Sequence, residues 1–231
     1  MSSEQQKWLL ADLGLLDYRK AHRLQLELLN YRKEGSLQED IILLLEHPPV
    51  FTLGRRGGLD SLKVPRELLE TRGIPVIQVE RGGDITYHGP GQLVAYLIVN
   101  LRQKNLRVVE FVEALEEVMI RTVASWGIRA ERNPLNRGAW VGMLKIGSIG
   151  IAVSRSFTYH GLALNVNADM EPFSWINPCG LHGVMMTSME QVLGEKIPME
   201  EVKNSLSAHF QDVFNIHLEN GNHILSNYLP S

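Results

Sequence analysis

Residue types able to do chemistry concentrate at three places in this chain. Cys179 is the single cysteine, so any thiol chemistry must occur there, and neither an internal disulfide nor a thiolate metal cluster can form within one chain. A lone cysteine is more often a small buried hydrophobe than a nucleophile. The setting Asn177-Pro178-Cys179-Gly180 argues for reactivity: proline stiffens one side, glycine opens the other to a substrate, and the helix expected downstream favours a thiolate. Lys145 stands between Leu144 and Ile146, where strand alternation sets it opposite its apolar neighbours. Most such lysines point to solvent. Facing inward, it would need a negative partner, and a thiolate is the nearby chemistry that gains from a cation. Cationic neighbours lower a cysteine pKa from about 8.5 toward 7 or below.

The third place is Arg81 to Gln92, which holds four glycines and a proline in twelve positions, with Arg81, Asp84, His88 and Gln92 as polar groups. Such density of backbone punctuation makes the chain turn sharply or lie close against something. Thr-Tyr-His-Gly occurs twice, at 86–89 and 158–161. The flanking residues do not match, so no domain is duplicated, but two histidines presented beside glycine suggest two walls of one pocket. Other chemistries fail on spacing. Neither the six-position glycine fingerprint of dinucleotide folds nor a phosphate-binding glycine loop is present. The eight histidines are scattered, with no pair at helical metal-ligand spacing, so no metal is expected. A cysteine hydrolase pairing Cys179 with His88 or His160 is a separate reading of the same residues.

The elements that must position these residues follow from apolar spacing. Lys7 to Asp12, Ile41 to Glu46, Val50 to Leu53, Val76 to Glu80 and Leu93 to Leu101 read as strands, and Ala139 to Gly142, Leu144 to Val153 and Phe157 to Val166 as neighbouring strands joined by tight turns. Ala21, Leu24, Leu28 and Tyr31 share one face of a helix closed by Gly35, and Phe111, Leu115, Val118 and Thr122 one face of a helix over 108–126 ended by Gly127. Pro65 opens a short helix, Thr187 to Glu190 has a capping-box pattern, and Pro198 opens a last helix carrying Val202, Leu206 and Phe210. The polar tail beyond Asn215 carries little signal. Strands dominate the middle and helices the flanks, which predicts an α+β fold: a mixed, mainly antiparallel sheet packed by helices.

At 231 residues the chain fits one domain, 1–231. Its 23 basic and 26 acidic residues nearly balance, which argues against a nucleic-acid footprint or a membrane-binding basic patch. The start, Met-Ser-Ser-Glu-Gln-Gln-Lys, lacks the pattern of a signal peptide, and a cytoplasmic location is expected.

Arg81-Gly82-Gly83 through Thr86-Tyr87-His88-Gly89-Pro90-Gly91-Gln92 resembles the signature of the octanoyltransferases, or lipoyl(octanoyl) transferases. The likeness continues through Glu46-His47-Pro48-Pro49, Gly142 to Gly150, Ser154-Arg155, Thr158 to Asn167 and Asn177 to Gly180, in order. This resemblance implies the catalytic-domain fold of biotin and lipoate protein ligases. It also implies transfer of an octanoyl or lipoyl group from acyl carrier protein to a lysine of a lipoyl domain. The acceptors would be 2-oxoacid dehydrogenase E2 subunits and glycine cleavage H protein, and no cofactor would be used. By the same resemblance Cys179 would be acylated and Lys145 would tune its pKa. The pocket would be lined by Arg81, Gly82, Gly83, Asp84, Ile85, Thr86, Tyr87 and His88, by Ser148, Ile149 and Gly150, and by Gly161, Leu162 and Ala163. On chemical grounds His88 and His160 would orient the acyl thioester or the amine, and His160 would join the substrate-binding residues. Arg55, Arg56, Arg102, Lys104 and Arg107 are basic positions that could meet an acidic carrier. Two rivals are an ATP-dependent lipoate-protein ligase of the same fold and a non-catalytic binder of carrier or lipoyl domains.

Overall fold

The computed structural model describes residues 5–134, 136–177 and 184–225. Cys179 therefore lies outside the described residues. The elements run β1 (Gln6–Leu15), α1 (Tyr18–Glu34), β2 (Asp40–Glu46), β3 (Val50–Leu53), α2 (Arg66–Thr71), β4 (Val76–Gln78), β5 (Ile85–His88) and β6 (Gln92–Ile98). They continue as α3 (Val108–Ala124), β7 (Gly138–Val141), β8 (Leu144–Ser154), β9 (Phe157–Asn165), α4 (Glu171–Ser174), β10 (Met185–Met186), α5 (Met189–Leu193), α6 (Met199–Phe214) and β11 (Ile216–Asn220).

The main sheet has the order β10-β8-β9-β6-β2-β1-β11, with β7 paired to β8. The pairs among β8, β9, β6 and β2 are antiparallel, as is β7 with β8, while β10 joins β8, and β1 joins both β2 and β11, in parallel. A second sheet, β4-β3-β5, holds the Arg81 loop between its last two strands in sequence. The expected mixed, mainly antiparallel sheet with flanking helices is what forms.

Alternation sorts the strand residues to two faces. Leu93, Ala95 and Leu97 of β6, with Leu162 and Leu164 of β9, pack on one face with Phe111, Leu115 and Val118 of α3 and Leu206 and Phe210 of α6. Val94, Tyr96 and Ile98, with Ala163, face the other way, toward Ala21, Leu24 and Leu28 of α1. Each fully buried large apolar side chain contributes roughly 1.5–3 kcal/mol, so both helix layers are held by the pattern that predicted them.

The terminators behave as their chemistry requires. Asp17 caps α1 by accepting the N–H groups of Arg19 and Lys20, and Gly35, at φ +80°, ends it. Beyond α3, Gly127 is at φ +73°, and the Ile128 N–H returns to the Val123 carbonyl at 3.2 Å. In the capping box expected at 187–190 the cap is Ser188, whose hydroxyl accepts the Gln191 N–H. Ile216–Asn220, in the stretch whose polar composition carried little signal, forms a strand. Asn215, at φ +50°, turns the chain back, and β11 pairs in parallel with β1, Gln6 opposite Ile216. Its partner is about two hundred residues away in sequence, so nothing local marked it as a strand.

Gly161 sits where β9 crosses β6, and a Cβ there would stand 2.0 Å from the Ala95 carbonyl oxygen. The strand pair would have to part to admit it. Gly161→Ala is expected to destabilise the chain by about 1–3 kcal/mol, read as a lower urea midpoint; an unchanged midpoint would show that the crossing is looser than described.

Candidate active site

A cleft of about 540 Å³, counting the part open to solvent, lies on the α1 face of the main sheet where the second sheet meets it. Ser148 and Gly150 of β8, Gly161 and Ala163 of β9, and Val94 and Tyr96 of β6 form its floor. Registers place Ser148, Ala163 and Val94 side by side, and Gly150, Gly161 and Tyr96 in the next row but one. Backbone at Gly150 leaves room that a side chain would fill, since a Cβ there would meet Arg81 Cδ at 2.9 Å.

The Arg81 loop forms the facing wall, and its polar groups mostly build it. The Arg81 guanidinium donates to the Thr52 carbonyl at 2.6 Å, to the Thr52 hydroxyl at 2.8 Å and to the Gly82 carbonyl at 3.0 Å, tying the loop to β3. Asp84 accepts the Ser61 hydroxyl at 2.9 Å and the Ile85 N–H at 2.6 Å. The basic loop at 54–58 is zipped to the same wall, since the N–H groups of Gly54, Arg55 and Arg56 donate to the carbonyls of Asp84, Arg81 and Gly83.

His88 is held by a chain of amides whose directions can be worked out. The Thr187 carbonyl can only accept, so Asn165 donates to it through Nδ2 at 2.9 Å. Asn165 Oδ1 then accepts from Gln92 Nε2 at 2.8 Å. Gln92 Oε1 is left to accept from His88, whose Nδ1 must carry the proton, at 2.6 Å. The His88 Nε2 lone pair is therefore the one not used by this chain. The Thr187 N–H donates to the Lys145 carbonyl at 2.9 Å, so the run links His88 on one wall to Lys145 on the other.

Lys145 lines the cleft and is 2 % exposed. Its inward direction comes from a bulge: Trp140 pairs with Lys145, but Ala139 pairs with Gly147, which leaves Ile146 as an extra residue. Ile146 and Gly147 both turn toward the α3 side, where a Gly147 Cβ would meet Met119, so Lys145 and Ser148 share the cleft face despite their odd spacing. Nζ donates to Asn136 Oδ1 at 2.6 Å and stands 5.6 Å from the Trp140 ring centre. Gly138, at φ +139°, leaves the space that the Lys145 stem uses, since a Cβ there would come within 2.7 Å of its Cε. Buried Glu116 in turn accepts the Gly138 N–H at 2.9 Å.

Of the sequence-predicted lining residues, Arg81 to Thr86, His88, Ser148 to Gly150 and His160 to Ala163 all border the cleft. Tyr87 does not; alternation in β5 turns it to Phe51 and Phe173 in a separate apolar cluster. The two Thr-Tyr-His-Gly copies do bring their histidines to one cleft, but differently, because His160 is at φ +58° while β5 is extended at His88. The His160 N–H is held by Gln25 Oε1 at 2.7 Å. Tyr18, Val94, Tyr96 and Asn136 were missed by the sequence reading. All are ordinary apolar-face or loop residues whose role depends on what they are packed beside. The chain enters the undescribed stretch around Cys179 from Asn177, whose N–H donates to the Ser61 carbonyl at 2.8 Å, and returns at β10, where Met186 pairs with Lys145. Among the basic positions, Arg107 pairs with Glu110 at 2.7 Å and Lys104 lies 4.6 Å from the Trp8 ring centre, while Arg55 and Arg56 are exposed.

A buried sheet floor, a glycine-rich wall and an inward lysine thus meet in one cleft of an α+β fold. Solved structures of the same shape include an archaeal bi-partite lipoate protein ligase from Thermoplasma acidophilum. It is 17 % identical with TM-score 0.73, over 93 % of this chain and 86 % of that one. The biotin protein ligase from Aquifex aeolicus has TM-score 0.52 at 10 % identity, over 91 % and 69 %. The chain belongs to the lipoyl protein ligase A/B catalytic domain family, whose model matches residues 17–211. Curated relatives named octanoyltransferase include that of Desulfotalea psychrophila, 49 % identical over 89 % of this chain and 93 % of that one, and that of Syntrophobacter fumaroxidans, 48 % identical over 90 % and 91 %. Among the described residues no helix is long and apolar enough to cross a membrane.

Burial favours the neutral form of His47, His88 and His160. His47 is pushed down to about 4 and His88 to about 3, each mainly by desolvation, with His47 and Arg81 adding to the effect at His88. Unfolded histidines titrate near 6.5, so below that pH the unfolded chain binds more protons and stability falls. The contribution is complete above about pH 6.5 and is lost progressively as pH drops toward about 4. Urea midpoints should fall between about pH 7 and about pH 5, and less steeply in His47→Gln; equal midpoints at both pH values would contradict neutral burial.

Proposed function

We propose that this chain is an octanoyltransferase that moves an octanoyl or lipoyl group from acyl carrier protein to a lysine of a lipoyl domain, through a thioester on Cys179. The observation that carries the reading is Lys145, a buried lysine that lines the cleft and is held at Nζ by Asn136. The 49 % identity to a protein named octanoyltransferase supports it. At roughly 3.3 Å per residue, Gly150 lies at most about 16 Å along β8 from Lys145, long enough for an extended eight-carbon chain laid along the strand.

In the first step the Cys179 thiolate attacks the donor thioester carbonyl, forming the new C–S bond as the old one breaks. The Lys145 ammonium protonates the departing carrier thiolate and becomes neutral. One thioester replaces another at nearly equal free energy, so no nucleotide is needed. In the second step the acceptor amine attacks the Cys179 thioester, an amide bond forms, and the amine proton passes to Lys145. Cys179 leaves as a thiolate beside the restored ammonium. The acceptors are proposed to be the lipoyl domains of 2-oxoacid dehydrogenase E2 subunits and glycine cleavage H protein, and the reaction is placed in the cytoplasm.

Incubation with octanoyl carrier protein alone should add one octanoyl group to the intact mass of the chain. That adduct should be absent in Cys179→Ser, without any need for ATP. Transfer that requires ATP and survives Cys179→Ser would sink this reading in favour of ligation. Asn136→Ala, which removes the acceptor that aims Lys145, is expected to lower kcat about tenfold, or ~1.4 kcal/mol of barrier, with little change in KM. An unaltered kcat would show that Nζ is positioned by other groups.

A further inference from the structure

We propose that His22, Glu80 and His160 form a binding site for one divalent transition-metal ion of the zinc class, at the outer edge of the cleft and separate from Lys145. His22 lies on α1, Glu80 two residues past β4, and His160 on β9, so no motif in the sequence announces the set. Their ligand atoms all lie within 4.8 Å of one another. His22 Nε2 is 3.0 Å, and His160 Nε2 3.9 Å, from Glu80 Oε2. A tetrahedral ion with bonds of about 2.0–2.1 Å sets its ligands roughly 3.3 Å apart, and these two separations bracket that value.

His160 supplies the independent observation. Its side chain is 1 % exposed, yet neither ring nitrogen makes a hydrogen bond among the described residues. A buried polar atom without a partner is costly, and two on one ring point to a ligand. The backbone there is held at φ +58°, a left-handed conformation uncommon for histidine, by the bond from its N–H to Gln25. Gln25 keeps an unpartnered buried Nε2 beside it, a donor suited to a water on the ion. His160 is thus a fixed anchor. The side chains of His22 and Glu80 are 20 % and 48 % exposed, so both can re-aim, and the 13° angle between the two imidazole planes can open by rotation of His22.

The donor set decides the ion. Two imidazoles and one carboxylate suit zinc, cobalt, nickel or ferrous iron rather than calcium or magnesium, which take oxygen ligands. Three protein ligands leave at least one position open to water. Because His160 also borders the cleft, an ion here would stand beside the bound acyl chain without touching the Lys145 end.

The test uses the full chain, free of any histidine tag and stripped with a chelator, titrated with cobalt(II) while its visible ligand-field bands are followed, then with zinc(II) as competitor. The wild type should take up one equivalent that zinc displaces. His22→Ala and Glu80→Gln should each weaken it about tenfold or more, while Cys179→Ser should leave it unchanged. Two results overturn the proposal. One is the absence of a saturable equivalent in the wild type; the other is an equivalent that survives both substitutions or vanishes with Cys179→Ser, which would put the ion on the thiol. Unchanged urea midpoints of the metal-free variants would separate lost ligation from lost folding.

Discussion

The run of hydrogen bonds from His88 through Gln92 and Asn165 to Thr187, and on to the Lys145 carbonyl, is the constraint on which the cleft depends. It crosses from the second sheet to the main one, so it fixes the distance between two walls that share few backbone bonds. Each member is buried, and in a buried amide chain every donor must meet an acceptor or lose its hydration without replacement. Turning any one amide over would set two donors or two acceptors face to face. The chain therefore has one direction, and that direction sets the tautomer of His88.

The cleft is possible because backbone replaces side chains at selected points. At Gly150 an added Cβ would meet Arg81 Cδ at 2.9 Å, and at Gly161 it would meet the β6 backbone. Around this floor the rings of Tyr18, His22, His47, His88, Tyr96 and His160 pack at centroid distances of 5.0–6.2 Å. Desolvation pushes three of these histidines down, so their rings are held neutral, while the Arg81 guanidinium borders this end of the cleft. Lys145 stands at the other end of β8.

Much of the architecture was legible because it rests on local rules. The helices of Leu24 and Leu115 were read from three- and four-residue spacing, and Gly35 and Gly127 marked their ends because only a residue tolerant of positive φ fits there. The site was legible in part. Arg81 to Gln92 stood out as a dense glycine loop, and the repeated tetrapeptide did bring two histidines to one cleft. Tyr87 turned away because the period of two that sets His88 on the cleft face sends its neighbour to the opposite one. Asn136 left no trace, since an asparagine in a loop is common and its importance lies in the lysine it meets.

The amino-acid sequence by itself determined most of the strands and helices, which apolar faces are buried, and which single thiol is available for chemistry. These follow from side-chain size, polarity and spacing along the chain. Only the tertiary structure decided that Lys145 faces the cleft, through a bulge that depends on how β7 pairs with β8. Tertiary packing alone also made β11 a strand and gathered His22, Glu80 and His160. Each of these depends on groups far apart in sequence, brought together by hydrophobic burial that specifies which faces meet but leaves no mark at the residues that happen to lie at their edges.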